Sequence, residues 1–94
     1  MTTNKIHFVL YTEDMPGTEK LINTALGDRP YTLVHGDGIW QGQREASLQI
    51  HVIVDAPIDP PTALALRVLT AMIKETNKQE CVLIESWPVR AKLF

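Results

Sequence analysis

Apolar and polar positions alternate from Ile6 to Tyr11. Ile6, Phe8 and Leu10 fall on one side, and His7, Val9 and Tyr11 on the other. A period of two predicts a strand with apolar groups on both faces. Asp14-Met15-Pro16-Gly17 breaks it, and the period then changes. Leu21, Ile22, Ala25 and Leu26 share one face of a predicted helix, which Thr18 can cap and Gly27 and Pro30 close. A second strand is predicted from Tyr31 to about Trp40. Gly36 and Gly38 inside it point to a bulge or a close backbone approach.

A short loop, Gln41 to Arg44, leads to a third strand, Ala46 to Asp55. There Leu48, Ile50, Val52 and Val54 point one way, and Ser47, Gln49, His51 and Ile53 the other. Two strands joined so closely form an antiparallel hairpin. Pro57, Pro60 and Pro61 impose an extended linker. Asp59 or Thr62 then starts a longer helix from about Pro61 to Asn77. Ala65, Val68, Leu69, Met72 and Ile73 face its core side, and Leu64 and Leu66 widen the stripe. The last strand runs from Cys81 to Trp87. Pro88 ends it, leaving Val89 to Phe94 as a tail.

The order strand, helix, strand, strand, helix, strand is the ferredoxin-like βαββαβ plan of the α+β class. It predicts a four-stranded antiparallel sheet with two helices on one face, in one domain over residues 1–94. The uncovered face would carry Val9, Tyr11, Ile53 and Leu83 among His7, Gln49 and His51. That is too apolar for a wet surface and reads as a subunit interface.

Composition narrows the function. The chain is 45% hydrophobic and 21% charged, ordinary for a globular protein. A net charge of −2 argues against nucleic-acid binding, and Arg90 with Lys92 reads as a solvated tail. Cys81 is the one cysteine, so no intrachain disulfide or cysteine-based zinc site can form. Its apolar neighbours read as those of an inert buried thiol, and a cytoplasmic setting fits. Residues 1–5 lack the apolar region of a signal peptide, and no apolar run has the length of a membrane span.

The candidate chemistry sits at one corner. Gly38-Ile39-Trp40-Gln41-Gly42 brings a strand to a glycine-bounded bend, and Glu45-Ala46-Ser47 leaves it. An aromatic ring and a carboxylate stand at its two lips. Taken singly, an acidic hairpin residue is usually solvated and a tryptophan usually packs. Ser47 either begins a strand or supports Glu45. His7, His35 and His51 show no metal-ligand spacing; His7 and His51 can meet across adjacent strands as an ordinary polar pair. Tyr11 and Glu13 could edge a cleft, and Glu85 is either solvent-facing or a second acid at a subunit cleft.

Gly38-x-Trp40, a loop and Glu45-x-Ser47 before an alternating strand resemble the phage S-adenosylmethionine (SAM) lyase family. Gln79-Glu80-Cys81-Val82-Leu83 is similar to that family's run into its last strand. The resemblance covers roughly the second half of the chain. Trp40-Gln41-Gly42 is also similar to the tryptophan-x-glycine corner of the divalent-cation-tolerance trimers, distant cousins of the PII signalling proteins.

The first resemblance implies a homotrimer that cleaves SAM, without cofactor or metal, to methylthioadenosine and homoserine lactone in clefts between subunits. The setting would be a host cytoplasm, and the result a block on methylation-dependent defence. It places the catalytic glutamate on Glu45 and the active-site tyrosine on Trp40, where an indole replaces the phenol. Trp40, Gly38, Gly36 and Ser47 would bind substrate. The second resemblance implies a non-catalytic, trimeric, small-molecule-binding protein. In either case the charge and the short apolar runs predict no nucleic-acid or membrane partner.

Overall fold

Six elements follow one another along the chain: β1 (Thr2–Glu13), α1 (Thr18–Leu26), β2 (Thr32–Trp40), β3 (Gln43–Asp55), α2 (Pro60–Thr76) and β4 (Leu83–Lys92). They come from a computed structural model that describes residues 2–79, 81–92 and 94. The strands form one antiparallel sheet in the order β2-β3-β1-β4, the ferredoxin-like arrangement that the sequence predicts.

The two sheet faces follow from the period of two. Leu10 on β1 and Leu48, Ile50 and Val52 on β3 point to the helices, where they meet Ile22 and Leu26 of α1 and Leu69 and Ile73 of α2. All are essentially inaccessible to solvent. Burying such a side chain stabilises the fold by about 1.5–3 kcal/mol, so this layer holds the sheet and helices together.

Helix ends differ in part from expectation. Gly17, in the left-handed region at φ 88°, is the N-cap of α1, and its position lacks a capping side chain. Thr18 lies just inside the helix, buried, and its hydroxyl accepts from the Met15 amide at 3.3 Å. At α2, Asp59 is the cap; its carboxylate accepts from the Thr62 amide at 3.0 Å and from the Thr62 hydroxyl. The buried line of α2 is Ala65, Leu66, Leu69 and Ile73. Leu64 and Val68, one turn apart, stand on a neighbouring stripe and are exposed, so Val68 does not reach the core.

Three further corrections concern the strands. First, the β2–β3 register is continuous from Thr32↔His51 to Trp40↔Gln43, so Gly36 and Gly38 make no bulge. Second, the connection is only Gln41-Gly42, both with positive φ (49° and 77°). This sign pattern suits the right-handed twist of a hairpin, and Gly42 adopts it freely. Third, β4 does not stop at Pro88. It continues to Lys92, with Pro88 opposite Ile6 and Arg90 opposite Asn4, so the expected tail is strand. β4 is a sheet edge, where a proline loses no ladder bond if its nitrogen faces outward.

The paired lengths leave two projecting ribbons. β1 ends at Glu13, opposite Ser47, and the Asp14 amide still donates to the Ala46 carbonyl at 2.9 Å, so β3 from Gln43 to Glu45 pairs with β2 alone. At the opposite end, Thr2 and Thr3 pair with β4 alone, while the Asn4 carbonyl still accepts from the Ala56 amide at 3.2 Å. The molecule is accordingly elongated, 44 × 25 × 20 Å.

Candidate functional site

Residues of odd number on β3 and even number on β2 share the face turned away from the helices. That rule places Trp40, Gly38 and Gly36 on one side of the β2–β3 ribbon with Glu45 and Ser47. Gly38 lies opposite Glu45, Gly36 opposite Ser47, and Trp40 opposite Gln43. Trp40 and Glu45 are thus diagonal neighbours, a separation of about 7–8 Å. The sequence-predicted residues come together on one surface.

Their surroundings are open. Trp40 is 69% exposed, and Glu45 is exposed. Glu45 has no ion pair or side-chain hydrogen bond among the described residues. Its neighbour Arg44 points to the opposite face and pairs with Asp37 at 3.4 Å, so it leaves the Glu45 charge unneutralised. Gly36 and Gly38 form a trough floored by backbone and bounded by Ser47. Built at Gly38, a Cβ would lie 3.4 Å from Ser47 Cβ; built at Gly36, it would lie 3.6 Å from Ser47 Oγ.

The principal hollows of the single chain lie elsewhere. One, of about 350 Å³, opens on the same sheet face between His7, His51, Ile53, Val34 and Tyr31. A second, of about 260 Å³, runs between α2 and β4 and is lined by Phe8, Leu10, Leu66 and Ile84 with Arg67 at its rim. Among the described residues, neither hollow is lined by Trp40 or Glu45.

Two polar constellations stand farther along the outer face. His7 Nε2 meets His51 Nδ1 at 2.9 Å, His51 Nε2 meets Gln49 Oε1 at 2.9 Å, and the His7 ring packs on Trp87 with centroids 4.4 Å apart. Beside them Tyr11 donates its hydroxyl to Glu85 Oε1 at 2.5 Å, a bond that raises the phenol pKa above its ordinary value. Glu85 is thus tied to Tyr11. Val9, between these groups, is buried rather than exposed.

Other groups that the sequence brings to notice have structural partners. His35, on the helix side, places Nδ1 2.9 Å from Asp14 and Nε2 3.1 Å from Glu19. The Asp14 hydrogen bond is the main cause of a raised His35 pKa. Gln79 accepts from the buried Thr12 hydroxyl at 2.7 Å, and Asn77 donates to the same hydroxyl at 2.9 Å. This cluster pins the end of α2 to β1. Cys81 is exposed, contrary to the buried thiol expected; it precedes β4, beyond the cover of the helices. Glu80, in the Gln79-to-Leu83 run, lies outside the described residues. Among the described residues, no group of three or more His, Cys, Asp or Glu could hold a metal ion, and no helix is long and apolar enough to cross a membrane.

Gln43 was not singled out by sequence reasoning, although it faces Trp40 across the ribbon. The Tyr11–Glu85 bond also went unseen. It joins positions 74 residues apart, and only the β1–β4 register brings them together.

No known family matches the chain, and no curated protein does. Solved structures share its fold. CPII, a nitrogen regulatory PII-like protein from Thiomonas intermedia K12 bound to ADP, AMP and bicarbonate, is 12% identical. The match covers 99% of this chain and 98% of that one, with a TM-score of 0.62. A phage SAM lyase in complex with S-methyl-5′-thioadenosine is 16% identical over 96% of this chain and 92% of that one, with a TM-score of 0.61. CutA1 from Oryza sativa is 12% identical over 98% and 85%, with a TM-score of 0.60. At these identities the likeness is one of fold, and that fold houses both a lyase and PII-like proteins.

Proposed function

We propose that this chain is a small SAM lyase, working as a homotrimer in clefts between subunits. The observation that carries the reading is the shared face of Trp40 and Glu45 over the Gly36–Gly38 trough, on a ribbon that projects beyond the sheet. A second copy laid against that ribbon would supply walls. The fold likeness to a phage lyase holding methylthioadenosine supports it. So does the run of exposed apolar residues on the outer face, Val34, Ile53, Leu83 and Trp87.

The chemistry asks little of the protein. The substrate's own carboxylate attacks its γ-carbon, the carbon–sulfur bond breaks, and the sulfonium leaves as a neutral thioether. Methylthioadenosine and homoserine lactone result. No base or cofactor is required, because the nucleophile is already ionised and the leaving group already cationic. Binding must fold the methionine arm into an attack geometry, from which large rate gains arise. Glu45 holds the ammonium of that arm. Trp40 offers its π face to the sulfonium or the adenine, a contact worth about 0.5–2 kcal/mol. The trough admits the ligand close to backbone, and Ser47 borders it. Charge is neutralised as the ring closes, so a cleft drier than water favours the transition state. In a phage-infected cell such an enzyme would act in the host cytoplasm and deplete the methyl donor that defence systems use.

One observation favours a second reading. Trp40 has no hydroxyl, and the chain shares its fold with PII-like and CutA proteins as well. In that reading the same clefts hold a small molecule without turning it over. Incubating the purified protein with SAM and looking for methylthioadenosine separates the two. Formation of the thioether supports the lyase, and saturable binding without product supports the binding protein. If neither product nor binding is seen, the Trp40–Glu45 face has no role toward SAM.

A further inference from the structure

The His7–His51 contact limits how many protons the outer sheet face can hold. An amide oxygen only accepts, so His51 Nε2, 2.9 Å from Gln49 Oε1, carries a hydrogen. Neutral His51 then presents the lone pair of Nδ1, and His7 Nε2–H donates to it at 2.9 Å. One proton can join the pair at His7 Nδ1 and no contact is lost. A second proton must take His51 Nδ1. Two N–H groups then face each other across 2.9 Å, and the rings have to part. Parting them also disturbs Trp87, whose ring packs on His7.

Asp55 and Glu85 each stand diagonal to His7, but Asp55 is tied to Lys5 and Glu85 to the Tyr11 hydroxyl; Glu13, the other acid of β1 on this face, lies at the strand's far end opposite Ser47. Tyr31, before β2, lines the adjoining hollow. Glu45 stands toward the far end of β3, and the helices lie behind the sheet. Neither His7 nor His51 has an ion pair among the described residues. Around them the face is apolar: Ile53 is 52% exposed and Val34 44%. Seating it against another copy would press two like charges together in a drying interface, where losing their water is unfavourable.

We propose that His7 and His51 form a proton latch on the subunit interface: with at most one proton between them the copies assemble, and the second proton releases them. This inference rests on the assembly proposed above and adds its regulation. Loss of assembly would also dismantle the clefts, so acid conditions would silence the site.

Light scattering across pH 8 to pH 5 tests it. Histidines titrate in that window, while exposed carboxylates, with ordinary pKa near 4, stay mostly ionised. The unsubstituted protein should weigh three chains at pH 8 and one at pH 5, a threefold fall. His7→Gln and His51→Gln, made separately and checked for fold by circular dichroism, each prevent a doubly charged pair and should stay assembled at pH 5. His35→Gln, on the other face, should still release. A mass unchanged across the range overturns the latch and leaves the assembly standing. Release that persists in both pair variants does the same. A single-chain mass at pH 8 overturns the assembly, and the latch with it. Imidazole nitrogen shifts of the unsubstituted protein give a reading free of variants: a second proton bound with no change in mass also overturns the latch.

Discussion

Ser47 stands against Gly38 from across the ribbon, its Cβ 3.4 Å from the place a Cβ on that glycine would take. This is ordinary contact distance, so an alanine fits without moving backbone. Gly38→Ala should therefore leave the melting temperature unchanged or raise it slightly, since Gly→Ala at a compatible site gains about 0.4–1 kcal/mol. The same methyl group fills the trough. Methylthioadenosine formation, or SAM affinity if the protein only binds, should fall at least tenfold. A stable variant with unaltered ligand behaviour would show that the trough holds nothing.

Glu45 makes no ion pair or side-chain hydrogen bond among the described residues, so its removal should cost the fold little. Glu45→Gln is expected to keep the thermal transition and the oligomeric mass while abolishing SAM breakdown. Product analysis by chromatography decides the point, and full retained turnover removes Glu45 from the mechanism.

The buried Thr12 hydroxyl serves two partners, Asn77 and Gln79. Thr12→Val keeps the volume but removes one bond from each, leaving Asn77 to donate to the Glu13 carbonyl at 3.4 Å and to Gln79 Oε1 at 3.5 Å. Each lost hydrogen bond costs about 0.5–1.5 kcal/mol. Urea unfolding should show a lower midpoint with an unchanged slope. A midpoint equal to that of the unsubstituted chain would mean the cluster is dispensable.

His35 gives stability a pH dependence of known sign. Its pKa is raised, first by the hydrogen bond to Asp14 and then by the nearby charges of Asp14 and Glu19. The charged form is favoured in the folded state, so its contribution is complete below the ordinary histidine value near 6.5 and fades as pH rises through the higher folded value. Denaturation midpoints of the unsubstituted chain should drop between pH 6 and pH 8.5 by more than those of His35→Gln. Parallel curves for the two proteins would refute the link.

Much of the fold was legible in the chain. The alternation of Leu48, Ile50, Val52 and Val54 set the buried face of β3. Odd–even parity also put Ser47 on the outer side of β3, whereas the common face of Trp40 and Glu45 emerged only from the β2–β3 register. Pro88 misled because proline ordinarily ends a strand, and only the edge position of β4 makes it harmless. Val68 misled because a broad apolar stripe does not say which half of it meets the sheet. The Tyr11–Glu85 and Thr12–Gln79 bonds were invisible, since they depend on a register between strands or loops far apart in sequence.

The free ribbon at the Gln41-Gly42 bend makes the reach of this surface adjustable. Each strand residue spans about 3.3 Å. Lengthening both arms by two residues would carry the bend outward by roughly 7 Å, leave the packed layer untouched and return every side chain to its former side. A one-residue addition between Glu45 and Ser47, by contrast, would turn the acid toward the helix side or shift the pairing of the hairpin. Descendants of this sequence are thus expected to vary the arm in even steps, so that the carboxylate keeps its orientation as the reach changes.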